Sequence, residues 1–268
     1  MFAKRLLLVA GLTLLGCVGD DLVVSPVDAG AATPDGRDAS DPAQPTDDGG
    51  GPKAGEPLDL DIHVLRNPTA AGHPAYGAKV RVKGLVVSGV KVAGPTHGFF
   101  AQHEENVAWG GVYVYLGAAA VSVVRGDIVT VTGEYATYRS QDQIHATPEG
   151  VQRTASTPNV KSFNVTLADI ADSGSRALEL QSVLLSVKDV EVVRATQGVD
   201  FRVRPIGGAS TELAVTSFVA NDVGPSPFQP NVGDQYGSIQ GVGYRSGVTE
   251  VTATNKLAPF GPGDLSPK

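Results

Sequence analysis

The chain has 268 residues, 41% of them hydrophobic, with 33 glycines, 18 prolines, one cysteine and a formal charge of −7. This length suggests one or two domains that can each bury a core, and one cysteine excludes a disulfide scaffold or a cysteine-rich zinc site. Residues 58–268 are nearly neutral, with 19 acidic against 17 basic side chains, which gives no case for nucleic-acid steering by a whole domain.

The N-terminal segment has the features of an export signal. Lys4 and Arg5 precede an apolar run over residues 6–15, about half of the ~20 apolar residues that a bilayer-spanning helix needs. The run ends in Leu-Leu-Gly-Cys at residues 14–17, which resembles the lipobox of bacterial lipoproteins. The resemblance implies that residues 1–16 are a signal peptide and that Cys17 is acylated on its sulfur and its new amino group. The alternative is an ordinary signal peptide that ends near a cysteine by chance.

The lipobox resemblance also predicts location. Several acyl chains, at ~0.8 kcal/mol per buried methylene, hold a protein to a membrane almost permanently. In the sorting of such lipoproteins an Asp after the cysteine favours the inner membrane, and this chain has Val18 there. We therefore expect an exported protein that is lipid-anchored to the bacterial membrane, in the outer membrane.

Residues 17–57 are predicted to be a disordered tether. After the cysteine, residues 18–57 contain seven glycines, six prolines, nine acidic side chains and no aromatic residue. Such a composition offers almost nothing to bury, so we expect a flexible spacer between the membrane and a folded part.

From residue 58 onward the pattern favours strands. Segments that are apolar or alternate between apolar and polar residues lie between Gly, Pro, Asn and Asp, and they include 80–90, 98–102, 111–116 and 128–132. Helical periodicity is restricted to two short candidates, residues 118–124 and 166–172. The pattern predicts an all-β fold.

The order of these segments recurs once. A second series consists of residues 183–193, Phe201, residues 213–215 and the Gly233-Asp234 turn; it repeats the spacing of residues 80–90, Phe99, Val112 and the Gly126-Asp127 turn. The second series has one more residue between the glycines of its last segment, which a β-bulge would absorb. We predict two all-β domains, residues 58–157 and 158–268.

The first series resembles small OB-fold modules of secreted and surface bacterial proteins, which often accompany extracellular nuclease domains. The resemblance implies two OB-fold-like β-barrels in tandem, and the alternative is a β-sandwich with the same number of strands. The second series departs from the family at two places. Gln181-Ser182 stands where a glycine-led strand entry is expected, and residues 249–255 fit the closing strand loosely.

The sequence contains no recognisable catalytic motif. His103-Glu104-Glu105 begins like a zinc-peptidase helix, but position 107 is Val where the second histidine is needed. Asp127 and Asp234 are explained as turn residues, in which the carboxylate bonds the following backbone N–H. We therefore predict a protein that is not an enzyme and has no metal site and no cofactor. A hydrolase whose residues converge only in three dimensions remains an alternative.

A candidate binding face lies on the first domain. Val112, Val114 and Leu116 share one side of a strand, and the two tyrosines between them share the other. If the valines point into the barrel, the tyrosines form an exposed stripe near Trp109. Aromatic rings beside cations stack on bases or sugars. The alternative is that the tyrosines cover the barrel or pack on the second domain. The predicted face consists of Arg81, Lys83, Trp109, Tyr113 and Tyr115.

These observations favour a non-catalytic lipoprotein on the cell surface or in the periplasm. Its folded part would bind an envelope protein or an oligosaccharide. The alternative is an OB-fold nucleic-acid-binding protein or an accessory to an extracellular nuclease, and the near-neutral charge weakens this alternative.

Overall fold

The computed structural model describes residues 55–105, 108–195, 200–208, 211–220, 226–249 and 252–268. The predicted signal peptide, Cys17 and most of the predicted tether lie outside these residues. Within the described part of the chain, no helix is both long and apolar enough to span a bilayer.

Residues 58–156 form the first barrel. Its elements are β1 (Leu58–Leu60), α1 (Ile62–Arg66), β2 (Lys79–Lys91), β3 (His97–Gln102), β4 (Gly111–Gly117), β5 (Asp127–Tyr138), β6 (Gln141–His145), a 3-10 turn (Pro148–Gly150) and β7 (Val151–Ser156). Strands β2, β3, β4, β6 and β5 pair in that order, and β5 pairs back to β2, so the ring closes. Strands β4 and β6 run parallel, while the other neighbours in the ring run antiparallel. This is the arrangement of an OB-fold barrel.

Residues 163–267 form a second barrel with the same order of elements. They are β8 (Phe163–Asn164), α2 (Leu167–Ile170), β9 (Leu184–Ala195), β10 (Phe201–Pro205), β11 (Leu213–Val215), β12 (Gln235–Ser246), β13 (Thr254–Ala258), a 3-10 turn (Pro262–Asp264) and β14 (Leu265–Pro267). Strands β9, β10, β11, β13 and β12 form the ring, with β12 pairing back to β9 and β11 parallel to β13. The prediction of an all-β chain with two OB-fold-like barrels is confirmed, and the closed rings exclude the sandwich.

Alternation of side chains explains why each ring closes around an apolar core. In β4, Val112, Val114 and Leu116 are buried in the core of the first barrel, as predicted. The long strand β2 contributes to both halves of its ring because it bends at a bulge near Gly84, whose φ is +72° and where the register against β5 shifts. In the second barrel Leu185, Val187 and Val203 occupy comparable core positions.

The repeated Gly-Asp turns give both barrels the same backbone geometry before β5 and β12, the strands that close the two rings. Gly126 and Gly233 have φ values of +94° and +96°, which glycine adopts without strain. Asp127 and Asp234 are turn residues, but each carboxylate accepts the N–H three residues before it, from Val124 (3.0 Å) and Asn231 (2.7 Å). The prediction that each carboxylate accepts a following backbone N–H is therefore wrong, because the N–H that it accepts precedes it in the sequence.

The extra residue in the second series is absorbed by a bulge in β12. The register of β12 against β14 shifts between Tyr236 and Ser238, which leaves Gly237 as the additional residue. The bulge predicted from the glycine spacing is thus confirmed.

The helices and the last ring strand differ from expectation in three respects. Residues 118–124 are not helical, whereas α2 lies within the predicted range 166–172 and is held by a capping box between Thr166 and Asp169. The closing strand β13 begins at Thr254, near the end of the predicted range 249–255, and continues to Ala258. The sequence pattern missed α1 and the flanking strands because elements of two to six residues carry too little periodicity.

The two barrels pack together within one compact unit. A third apolar cluster joins Phe100 and Tyr113 of the first barrel to Leu184, Val242 and Ala258 of the second. Both rings are therefore held side by side by buried apolar side chains, and the candidate site lies at the edge of this contact.

Candidate functional site

The tyrosines predicted to form an exposed stripe divide between two roles. Tyr113 is only 4% exposed, and its ring lies 4.7 Å from that of Phe100 in the cluster between the barrels. The prediction of an exposed side chain is therefore wrong for Tyr113. The second barrel covers this part of β4, which agrees with the alternative interpretation that the tyrosines pack on the second domain. Tyr115, two residues further along β4, is half-buried and lines an open cleft.

The other members of the predicted face do not join the tyrosines. Arg81 and Lys83 lie on β2, which is not a neighbour of β4, and both pair with Asp59 of β1 at 3.5 and 3.4 Å. Trp109 has a φ of +58°, and its backbone N–H donates to the carbonyl of Glu179 at 2.7 Å. Trp109 therefore lies at the contact between the barrels, beside a smaller cavity of about 170 Å³.

The cleft that Tyr115 lines has a volume of about 520 Å³ and lies between the two barrels. The first barrel supplies β4, β6 and the hairpin between β5 and β6, and the second supplies β12, β13 and residues 216–218. The lining residues are Thr96, Tyr113, Tyr115, Tyr138, Arg139, Gln141, Gln143, His145, Thr216, Phe218, Tyr244, Ser246 and Lys256.

Aromatic rings from both barrels form the walls of the cleft. On the first barrel, the rings of Tyr115 and His145 lie 4.9 Å apart. On the second, Phe218 and Tyr244 stack with centroids 4.5 Å apart and planes 17° from parallel. Burial raises the pKa of Tyr244 above its usual 10, so its hydroxyl is neutral under physiological conditions and can donate a hydrogen bond.

The polar groups of the cleft are mostly amides and hydroxyls. Gln143 is buried, and its side-chain oxygen lies 3.1 Å from Nε2 of His145. Gln141 holds the barrels together, since its amide nitrogen donates to Oγ of Ser182 (2.5 Å) and its oxygen accepts the N–H of Arg245 (3.1 Å). None of the described residues that line the cleft is Asp or Glu.

The histidines do not converge on a metal site in the part of the chain that the structure describes. The rings of His63 and His103 lie 5.2 Å apart, but no group of three or more His, Cys, Asp or Glu residues there is placed to hold a metal ion. Nδ1 of His63 donates to the carbonyl of Ala108 at 2.8 Å, and this bond holds the ring in place.

Sequence reasoning found one wall of the cleft and missed the other. Tyr115 was found because it alternates with core valines on a clear strand. Phe218 follows the end of β11 in an irregular segment, and Tyr244 lies near the end of β12, so neither belongs to a visible aromatic stripe. Their partnership with Tyr115 depends on how the barrels pack, which no local pattern encodes.

Comparisons with known proteins add no argument about function. No family model matches the chain, and no curated protein matches it. Among solved structures, the crystal structure of the tetrameric p202 HIN2 is similar over 70% of this chain and 91% of that chain, with 12% sequence identity and a TM-score of 0.35. This similarity is too low to bear on function.

Proposed function

We propose that the protein is an exported, lipid-anchored binding protein that holds an oligosaccharide in the cleft between its two barrels. The observation that carries the proposal is the pairing of aromatic walls from both barrels, Tyr115 on one side and the Phe218–Tyr244 stack on the other. Sugar rings have apolar faces that stack on aromatic planes, and their hydroxyls bond to amides and hydroxyls. OB-fold barrels are also known to bind oligosaccharides.

The dimensions and polar groups of the cleft support this ligand class. A volume of about 520 Å³ falls within the ~300–1,000 Å³ that is usual for small-ligand sites. Thr216 and Ser246 from the second barrel add hydroxyls to the amide of Gln143 from the first. A sugar chain needs such spaced donors and acceptors along its length.

The charge of the cleft favours a sugar over a nucleic acid. Nucleic-acid binding draws most of its affinity from several Lys or Arg contacts to phosphates. Among the described residues that line the cleft, two are Lys or Arg, namely Arg139 and Lys256, and Lys256 already pairs with Asp200 at 2.6 Å. Residues 58–268 are nearly neutral overall. Single-stranded nucleic acid is therefore the second candidate, supported only by the aromatic walls.

The membrane anchor of this proposal rests on the lipobox resemblance at Cys17, with the acidic, glycine- and proline-rich segment as spacer. A spacer would let the cleft reach polymers of the cell envelope while the lipid stays in the bilayer. An envelope protein as partner remains an alternative occupant of the same surface.

The proposal is tested with the full chain purified from membranes in detergent. We expect at least one hexasaccharide from a panel of cello-, manno-, chito- and galacturono-oligomers to bind by titration calorimetry. Tyr115→Ala and Tyr244→Ala should each lower that affinity about tenfold, because each removes an aromatic wall. Tyr76→Ala is the matched control, since Tyr76 is 57% exposed and lies outside the cleft.

Two results would contradict the proposal. One is the absence of binding by every saccharide of the panel. The other is a twelve-nucleotide thymidine oligomer that binds with strong salt dependence and needs Tyr115, which would place the protein in the nucleic-acid-binding class.

A further inference from the structure

The hairpin between β5 and β6 has a strained tip. Arg139 and Ser140 are its two central residues, and their φ values are +51° and +63°. Two-residue hairpins with positive φ at both positions favour Asn-Gly or similar pairs, because other side chains crowd the backbone there. An Arg-Ser pair in this turn is therefore strained, and strained backbone is found most often at functional sites.

Contacts from the second barrel hold this turn in place. The backbone N–H of Gly247 donates to the carbonyl of Arg139 at 3.1 Å. The side-chain amide of Gln181 donates to the carbonyl of Ser140 at 2.7 Å. Each central residue of the turn is thus fixed by a separate hydrogen bond across the contact between the barrels. The backbone of the turn that carries Arg139 is therefore held by both barrels together.

This position places Arg139 in the cleft. Its guanidinium carbon lies 5.5 Å from the centroid of the Tyr138 ring, which lines the same cleft. Stacking of this kind restrains the plane of a guanidinium while leaving its N–H edge open for a ligand.

The charge of Arg139 is not compensated by the described parts of the chain. No carboxylate there forms an ion pair with Arg139, and none of the described lining residues is acidic. The other lysine or arginine of the lining, Lys256, is paired with Asp200. The cleft of the proposed function therefore presents the guanidinium of Arg139 beside aromatic rings.

We propose that Arg139 recognises an anionic group of the ligand, and that the ligand is an acidic oligosaccharide with a carboxylate or a phosphate on a sugar ring. A guanidinium matches both groups, because its parallel N–H bonds meet two oxygens at once. This inference rests on the proposed function, since it assigns the ligand class of the same cleft.

The test uses pairs of probes in which one member carries the anionic group and the other lacks it. Trigalacturonate is compared with its methyl ester for the carboxylate, and mannose 6-phosphate with mannose for the phosphate, each titrated into the full chain. We expect one acidic probe to bind about tenfold more tightly than its neutral counterpart. Arg139→Gln should remove this preference, so that the two probes of each pair bind the variant with similar affinities. Arg125→Gln, an exposed arginine outside the cleft, should keep the preference.

The outcomes separate this inference from the proposed function. Equal binding of acidic and neutral sugars, or a preference that survives in Arg139→Gln, overturns the role of Arg139 while the saccharide cleft stands. Failure of every neutral and acidic sugar to bind overturns the proposed function and this inference with it. The pair that shows the preference identifies the anionic group as carboxylate or phosphate.

Discussion

Nη2 of Arg66, in the first barrel, donates to the side-chain oxygen of Gln181, in the second, across 2.7 Å. Both side chains are almost fully buried, at 2% and 3% exposure. Arg66 also donates to the carbonyl of Gly111 at 2.8 Å and pairs with Asp142. Burial lowers the pKa of Arg66 to about 10, so the guanidinium remains charged at neutral pH and depends on all three acceptors.

Gln181 is consequently the polar centre of the contact between the barrels. Its side-chain oxygen also accepts the backbone N–H of Asp142 at 3.3 Å, and its amide nitrogen donates to the carbonyl of Ser140. Buried amides that use both ends in this way fix one arrangement of their neighbours, because any other leaves donors and acceptors unpaired. The cleft keeps its shape through this contact.

We predict that Gln181→Ala lowers the free energy of unfolding by about 2–4 kcal/mol, since it leaves several buried polar groups without a partner. Urea unfolding of the full chain, followed by tryptophan fluorescence, measures the change. Gln229→Ala is the control, because Gln229 is exposed and makes one hydrogen bond, to the carbonyl of Ser226. A loss no larger than that of the control would mean that Gln181 does not hold the barrels together.

The same residue shows where sequence reasoning reached its limit. Gln181 and Ser182 depart from the expected glycine-led strand entry because they serve the contact between the barrels. Ser182 has a φ of +65° and accepts a hydrogen bond from Gln141. A family pattern describes a single barrel. Residues whose role is to contact the neighbouring barrel therefore do not match that pattern.

The parts of the fold that the sequence predicted are those with local causes. Alternating valines such as Val112 and Val114 and the paired Gly-Asp turns fix strands and their order. The cleft depends on long-range packing. Tyr113 packs against the second barrel, whereas Tyr115 lines the open cleft. Strand alternation places both tyrosines on one face and contains no information about what covers it.

A second prediction concerns the close approach of the barrels at Gly111. A Cβ on Gly111 would lie 2.5 Å from the backbone carbonyl carbon of Ser182, and backbone cannot move aside as a flexible side chain can. We expect Gly111→Ala to separate the barrels and to lower the free energy of unfolding by about 1–3 kcal/mol. Affinity for any saccharide bound in the cleft should fall with it.

The control for this variant is Gly237→Ala. Gly237 also lies in a strand, but its nearest neighbour to an added Cβ is the carbonyl oxygen of Ser266 at 3.8 Å, an ordinary contact. Urea midpoints of the two variants should therefore differ. Equal midpoints would show that the barrels tolerate a wider spacing.

The lipid anchor gives a third prediction, which concerns residues outside those that the structure describes. Cys17→Ser removes the sulfur that would be acylated, so we expect the protein to lose its lipid and leave the membrane fraction of bacterial cells. Fractionation and intact-mass measurement check the outcome, with Ser25→Ala as the control in the same segment. A Cys17→Ser variant that stays membrane-bound and uncleaved would show that the N-terminal segment is another kind of anchor.

The last prediction concerns stability at alkaline pH. Burial raises the pKa of Tyr244 above its ordinary value of 10, so near that pH the unfolded chain loses the phenolic proton while the folded chain keeps it. The unfolded state then binds fewer protons, and stability falls as the pH rises through about 10. Tyr244→Phe has no phenolic proton in either state and should lose less stability over that range. Urea midpoints of both proteins should keep a constant difference from about pH 7 to 9 and shift in favour of the variant above about pH 10. A difference that stays constant across the whole range would show that the Tyr244 hydroxyl is not buried in the wall of the cleft.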